Sequence, residues 1–356
     1  MAARPRVEVA VVGFAQSPCV RRELVRNEVE ILIPVIHQLK QEAGIGNEEI
    51  DFICSGSSDY LAGQSFAFVA GLDAVGAWPP VAESHVEMDG AWALYEAWVK
   101  MQTGHAEIAL VYGFGKASMG DLPITLALQL DPYCVTPLWP DSISIAALQA
   151  RLCLESGVVD ERGMAERVVR DRENARSNPL AQLKGTFEVD ELLSEPYRVS
   201  PLRTHDCAPI SDGASGVLLA VGERARRLCQ RPAWIRGLSH ICEPQDLGVR
   251  DLCRSRSTQM AAERLGLGRD KLDVAELSAP FSHQEMLVEQ ALGLGEDTRV
   301  NPSGGALAGN PLMAVGLSRI GEAARCIWSG SADRALAHAT SGPCLQQNLL
   351  CLLEGD

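Results

Sequence analysis

Two eight-residue stretches, one early and one late in the chain, echo one another. Residues 44–51 read Gly-Ile-Gly-Asn-Glu-Glu-Ile-Asp, and residues 266–273 read Gly-Leu-Gly-Arg-Asp-Lys-Leu-Asp. Each follows a run of helical periodicity, turns on its glycines and enters a strand-like run through an aspartate. Turn geometry alone favours Gly and Asp at such joints, so one echo is a modest constraint by itself. Recurring at a wide interval, it implies a duplicated unit.

The runs around the echoes agree with that. Val7–Val12, Ile50–Cys54, Ile108–Gly113, Gly213–Val221 and Leu349–Leu353 read as buried strands. Between them, Glu23–Ala43 places Val25, Val29, Ile31, Leu32, Val35, Ile36 and Leu39 at helical spacing. Alternation of this kind predicts a layered α/β architecture. A chain of 356 residues with 46% hydrophobic and 22% charged residues has room for two or three compact units and a large core.

Charge narrows the partners. A net charge of −14 argues against nucleic acid and against an anionic membrane surface. A local basic pocket for a phosphate-bearing cofactor is compatible with it. Arg21, Arg22 and Arg26, or Arg250, Arg254 and Arg256, offer one, and solvated surface is the ordinary alternative for both sets. The eleven cysteines are scattered and include no C-x-x-C pair, which disfavours a zinc knuckle or a redox motif and suits a reducing compartment. The apolar stretch after the first six residues is too short for a signal segment, and no run approaches the ~18 apolar residues of a membrane span. A soluble, cytoplasmic protein is expected.

Four segments carry chemistry. Residues 301–311 form a loop, Asn-Pro-Ser-Gly-Gly-Ala-Leu-Ala-Gly-Asn-Pro. Met88-Asp89-Gly90 precedes a run, Ala91–Val99, that is apolar almost all round and reads as a central buried helix. Residues 276–281 read Glu-Leu-Ser-Ala-Pro-Phe, and residues 337–344 read Ala-His-Ala-Thr-Ser-Gly-Pro-Cys. In this order and at these distances the segments resemble the thiolase superfamily, most closely its lipid-transfer, or sterol-carrier-protein, branch. A fifth stretch, His205–Ala214, resembles the Asp-Gly-Ala turn that opens the last strand of the first half, and turn geometry explains its Asp and Gly.

The resemblance implies two duplicated βαβαβαββ halves in a five-layer α-β-α-β-α arrangement with a helical loop insertion. Residues 1–119 and 205–230 would form the first half, 120–204 the insertion, with helix-like patches at Ile143–Glu155 and Glu161–Ser177, and 231–356 the second half. It also implies where the site lies, and there the chain departs from its relatives. Glu87 stands at the position of the nucleophilic cysteine, Ser278 at that of a histidine or asparagine, Pro280 at that of a cysteine or alanine, and Asn310 at that of the histidine in the Gly-His-Pro motif. Cys344 lies several residues past the second cysteine's position.

Each substitution leaves alternatives open. Glu87 is a general base or a helix-capping carboxylate. His283 takes over the polar role at the second motif, or sits on the outward face of the next helix, which is the expected place. Asn310 donates a hydrogen bond to an oxyanion but exchanges no proton. Cys344 is a displaced reactive thiol or, as expected, a buried spectator. Ser278, Gly304, Gly305, Gly342 and Cys344 are the expected substrate-binding positions. His85, Glu87 and Asp89 alternate, but no further cluster supports a metal, so none is expected.

By resemblance, the function is that of a thiolase-like subunit in a steroid or acyl-CoA side-chain degrading complex, working by retro-aldol cleavage of a β-hydroxyacyl-CoA rather than Claisen thiolysis. The branch's tyrosines near the second and fourth motifs are missing, with Ser278 and Pro343 around those places. The alternatives are a non-catalytic thiolase-fold partner subunit and an acyl-CoA- or lipid-binding protein. The implied partners are a thiolase-like homo- or heterodimer mate and a protein bearing an OB fold and a zinc ribbon. A CoA thioester is the implied substrate, with no cofactor in this chain.

Overall fold

The structure is a computed structural model that describes residues 7–268 and 271–356. Residues 1–6, at the start of the expected first half, and Arg269 and Asp270, within the second echo, lie outside the described residues. The first half runs β1 (Val9–Gln16), α1 (Glu28–Ala43), β2 (Phe52–Gly56), α2 (Asp59–Ala62), α3 (Ala67–Val75), β3 (Ala82–Val86), α4 (Gly90–Gln102) and β4 (Ile108–Lys116). Residues 120–204 then carry α5 (Leu122–Leu128), α6 (Ser142–Glu155), α7 (Glu161–Asn174), α8 (Val189–Ser194) and the small β5 (Tyr197–Val199) and β6 (Leu202–Arg203) pair. β7 (Asp212–Val221) and α9 (Gly222–Leu228) follow. The second half runs β8 (Ala233–Cys242), α10 (Arg256–Leu265), β9 (Val274–Glu276), α11 (Ser282–Leu292), β10 (Arg299–Val300), α12 (Gly305–Ala308), α13 (Val315–Trp328), β11 (Arg334–Ser341) and β12 (Gln347–Glu354).

The duplication is visible in the topology. Ten strands form one ladder in the order β10-β9-β11-β12-β8-β1-β7-β4-β2-β3. Read outward from the β8–β1 junction, each half has its first, fifth, fourth, second and third strand in turn. The sense of pairing repeats too. β2 is parallel to β3 and β4, as β9 is to β10 and β11. β7 is antiparallel to β4 and β1, as β12 is to β11 and β8. In the ladder the two halves pair, among the described residues, at Ala10 with Trp234 and Val11 with Ala233.

Side-chain alternation along the strands builds the five layers. Val9 and Val11 enter the central apolar cluster, while Ala10 and Val12 enter an outer one. On the other half, Leu349, Cys351 and Leu353 face the centre, and Leu350 and Leu352 face outward. The central layer is α4 with α13; α1, α3 and α9 cover the first sheet, and α10 and α11 the second. Both faces of each sheet are thus buried, which is why the strands read as continuous apolar runs.

Element ends differ from the expectations for local reasons. α1 starts at Glu28, not Glu23, because Asn27 caps it in a reciprocal box with Glu30. β2 starts two residues late because Asp51 is occupied by the amides of Glu107 and Ile108. The helix expected over Glu161–Ser177 stays α-helical to Asn174 and tightens to a 3-10 turn over Ala175–Ser177.

Candidate active site at the strand carboxyl ends

In open α/β sheets ligands bind beyond the carboxyl ends of parallel strands. The sequence-derived positions gather there in both halves: Glu87 follows β3, Ser278 follows β9, Gly304 and Gly305 follow β10, and Gly342 follows β11.

Glu87 is not the helix cap. α4 begins at Gly90, and its N-cap is Asp89, whose side chain accepts from Ala91 N. Glu87 sits just beyond β3 with its side chain 46% exposed. Its Oε1 accepts from Asp59 N at 2.7 Å, and its Oε2 lies 3.6 Å from His85 Nε2. His85 in turn meets Ser55 Oγ through Nδ1 at 3.2 Å and is stacked on Phe68. His85, Glu87 and Asp89 do not converge, because Asp89 turns inward; no metal-holding cluster occurs among the described residues.

Asp89 is the residue that sequence reasoning undervalued. It is buried, and besides Ala91 N it accepts from Gly316 N and Leu317 N, both at 3.0 Å. One carboxylate therefore caps α4 and α13 together. Burial pushes its pKa up against the pull of those three amides. The signal was present: Asp immediately before a helical Gly-Ala run is a favoured N-cap.

The glycine-rich loop is held from below by two buried networks. Glu276 accepts from Ser303 N at 2.9 Å and Ser303 Oγ at 2.8 Å, and pairs with Arg319 at 2.8 Å; Arg319 also donates to Ser303 Oγ. Burial raises the Glu276 carboxyl to about 7 despite those donors. Asn301, buried at φ 48, accepts from Leu277 N and donates to Asp171 and Glu285 at 2.9 and 3.1 Å. Arg170 donates to Glu285 and Glu289, so α7 of the inserted segment and α11 are tied to the start of the loop. Burial pushes both the Asp171 and Glu285 carboxyls upward.

Close backbone approach then brings the loop to α4. A Cβ on Gly113 would stand 2.2 Å from Met313 O, and one on Gly115 2.2 Å from Leu312 O. Met313 O accepts from Gly90 N at 2.9 Å, which joins the third motif to the first. Gly304 and Gly305 adopt φ of +104° and +61°, and their bare Cα positions face Ala175 and Asn301, so packing accounts for both glycines. Asn310 donates its backbone N–H to Ser211 Oγ, and its half-buried carboxamide makes no hydrogen bond among the described residues.

The second and fourth motifs also meet. Ser278, buried, donates its backbone N–H to His338 O at 3.1 Å. Arg250, its side chain almost wholly buried, grips the carbonyls of Pro343 and Cys344. That overturns both expectations for Arg250, which is neither solvated nor a phosphate ligand. Arg254 and Arg26 pair locally with Asp251 and Glu23. Arg21 lines a cleft of about 340 Å³ with Ser118, Gly120 and Asp121 beyond the end of β4. Gly342 is exposed at φ +74, and Cys344 is buried, its thiol pushed up to about 12.

His283 is not on an outward face. It is fully buried in the first turn of α11, with Nε2 3.2 Å from Gln149 Oε1 of α6, and burial lowers its pKa to about 3. α11 is enclosed by α6, α7 and α10, so the face read as outward is an interior one. Among the described residues no hydrogen bond links Glu87 to His283, Ser278 or Asn310. No helix among them is long and apolar enough to cross a membrane.

No family model matches the chain. It is similar to acetyl-CoA acetyltransferase of Methanothermobacter thermautotrophicus, 28% identical over 277 residues, covering 70% of this chain and 71% of that protein. Human sterol carrier protein 2 is 26% identical over 274 residues, 65% of this chain and 50% of that longer protein. Among solved structures, an Ltp2-ChsH2(DUF35) aldolase superimposes with a TM-score of 0.80 at 18% identity, covering 98% of each chain. Human mitochondrial 3-ketoacyl-CoA thiolase does so with a TM-score of 0.76 at 16% identity, covering 98% of this chain and 99% of that one.

Proposed function

We propose that this chain, a member of the thiolase superfamily on its sterol-carrier-protein branch, cleaves a β-hydroxyacyl-CoA by retro-aldol chemistry rather than by cysteine-dependent thiolysis. One observation carries the reading. A half-exposed carboxylate, Glu87, stands just before α4, at the position that the resemblance to thiolases assigns to the nucleophile, while Cys344 is a buried thiol pushed up to about 12.

Retro-aldol cleavage needs a base and a donor for the enolate, and no acyl-enzyme. Glu87 would take the β-hydroxyl proton as the Cα–Cβ bond breaks. The bond pair moves onto the thioester as an enolate, the β-carbon becomes a carbonyl, and Cα regains a proton to leave a shorter acyl-CoA. Asn310, its carboxamide unengaged, would donate to the enolate oxygen. Ser278, Gly304, Gly305, Gly342 and Cys344 would frame the acyl group from the second half. Arg21 in its cleft is suited to the CoA phosphates.

A second reading, a partner subunit without turnover of its own, is favoured by the edge of the sheet. β3 ends the ladder with a free side, and Phe66 and Trp78 near it are exposed. Pairing there with a thiolase-like mate, and recruitment of an OB-fold and zinc-ribbon protein, belong to this proposal; the Ltp2-ChsH2(DUF35) aldolase is by its name a two-component assembly.

The test is to purify the chain alone and with the products of neighbouring genes, supply a β-hydroxyacyl-CoA and follow carbonyl and acyl-CoA release. Glu87→Gln is expected to lower turnover by roughly 10²–10⁴-fold. Undiminished turnover in that variant removes Glu87 as base, and turnover that resides wholly in a partner selects the second reading.

A further inference from the structure

Three polar side chains stand abreast in the first sheet. Ser55 is in register with His85 across β2–β3 and with Tyr112 across β2–β4. In-register residues on neighbouring strands project from one face about 4.8 Å apart. Around the row on that face, Ile53 and Leu110 are packed beneath α1 and α3, and the exposed Glu83 stands in register with Ile53 at the sheet edge. A polar row inside such a layer calls for a reason, since buried polar groups are costly unless partnered.

The row leads to Glu87. Ser55, buried, meets His85 Nδ1 at 3.2 Å, and His85 Nε2 faces Glu87 Oε2 at 3.6 Å. α3 clamps the imidazole, with the Phe68 ring parallel to it at 4.5 Å and 14°. Gly71 of α3 lies over the Tyr112 hydroxyl, where a Cβ would come within 2.9 Å. The carboxylate's other oxygen is pinned by the Asp59 amide. Asp59 itself is locked by the amides of Phe66 and Ala67, and Phe66 is held at φ 59, a strained value for that residue.

We propose that His85, fixed by Ser55 and Phe68, is the positioning residue for the Glu87 carboxylate, an inference that rests on the reading of Glu87 as base. With the Ser55 hydroxyl donating to Nδ1, the ring proton lies on Nε2 and faces Oε2. At 3.6 Å that N–H steers Oε2 electrostatically while the Asp59 amide holds Oε1, which leaves the remaining lone pairs to the substrate hydroxyl. The titratable and charged groups around the ring are Glu83 on its own strand, Glu87 just beyond it, Asp59 beyond β2 and Tyr112 on β4.

Two measurements test it. Histidine C2–H NMR of the intact protein at one fixed pH, with His85→Gln used to identify the signal among seven histidines, is expected to show a displaced His85 resonance in Glu87→Gln. An unmoved resonance overturns the pairing. In kinetics on a β-hydroxyacyl-CoA, His85→Ala is expected to lower kcat roughly tenfold with KM kept. His85→Gln, which retains an N–H, is expected to restore much of kcat. An unchanged kcat in His85→Ala, while Glu87→Gln abolishes turnover, overturns the positioning role and spares the base. A displaced resonance without turnover in any preparation supports the pair and overturns the retro-aldol reading alone.

Discussion

Replacing Asp89 by alanine removes the shared cap of the two central helices. Its Oδ1 accepts from Ala91 N at 2.8 Å and Leu317 N at 3.0 Å, and its Oδ2 from Gly316 N at 3.0 Å. Loss of one helix cap costs about 1 kcal/mol, and here two helices lose theirs. The residue is only 6% exposed, so water does not replace the carboxylate, and a stranded buried amide costs at least ~1 kcal/mol more. Because the three bonds share one network the terms do not simply add, and the expected loss is about 3–4 kcal/mol. Asp89→Asn keeps one acceptor oxygen but turns an amide group toward a backbone N–H, so it is expected to cost about half as much. Urea unfolding followed by tryptophan fluorescence, to which the buried Trp92 of α4 contributes, reads the effect as a lower midpoint at unchanged slope. An alanine variant within ~1 kcal/mol of the parent would refute the shared-cap reasoning, because that value is no more than one ordinary cap.

Two further outcomes follow from burial. A maleimide at pH 7.5 is expected to label the exposed Cys134 and Cys242 in the native protein and to spare Cys344, as read by peptide mass spectrometry; rapid labelling of Cys344 would restore it as a nucleophile. Glu276 has its native carboxyl raised from 4.5 to about 7, so the native state holds the proton more tightly than the unfolded chain. Its contribution is therefore full below about pH 4.5 and is lost as pH rises through about 7, on the order of 3 kcal/mol. Glu276→Gln, which mimics the protonated carboxyl, is expected to flatten that fall in a series of urea midpoints from pH 5 to 8. An unchanged slope would show that Glu276 is ionised throughout.

The layered fold was legible because it depends on patterns the chain carries locally. Apolar runs marked β1, β4, β7 and β12, and the echo at residues 44–51 and 266–273 marked the same joint in the two copies. Where periodicity overran, at Glu23, a capping pair decided: Asn27 and Glu30 set the start of α1. Glu87 stayed open between base and cap because counting back from Gly90 gives a position in the chain but no direction for the side chain. The Tyr112–Ser55–His85 row had no sequence signal at all. Its members lie on three separate strands, and only the pairing register brings them abreast. The inward place of His283 was hidden for a related reason, since a helix covered on several sides by its neighbours has no face that periodicity alone can name as outer.

The two ends of the ten-stranded ladder are not alike. One end is β10, two residues long, and the other is β3, five residues with a free side. A ladder blunted at one end has a single place to grow. If a second copy docks its own β3 there, the combined sheet terminates in a β10 on both sides and offers no further edge. Assembly of two copies by that route stops at two and does not run on into a fibre.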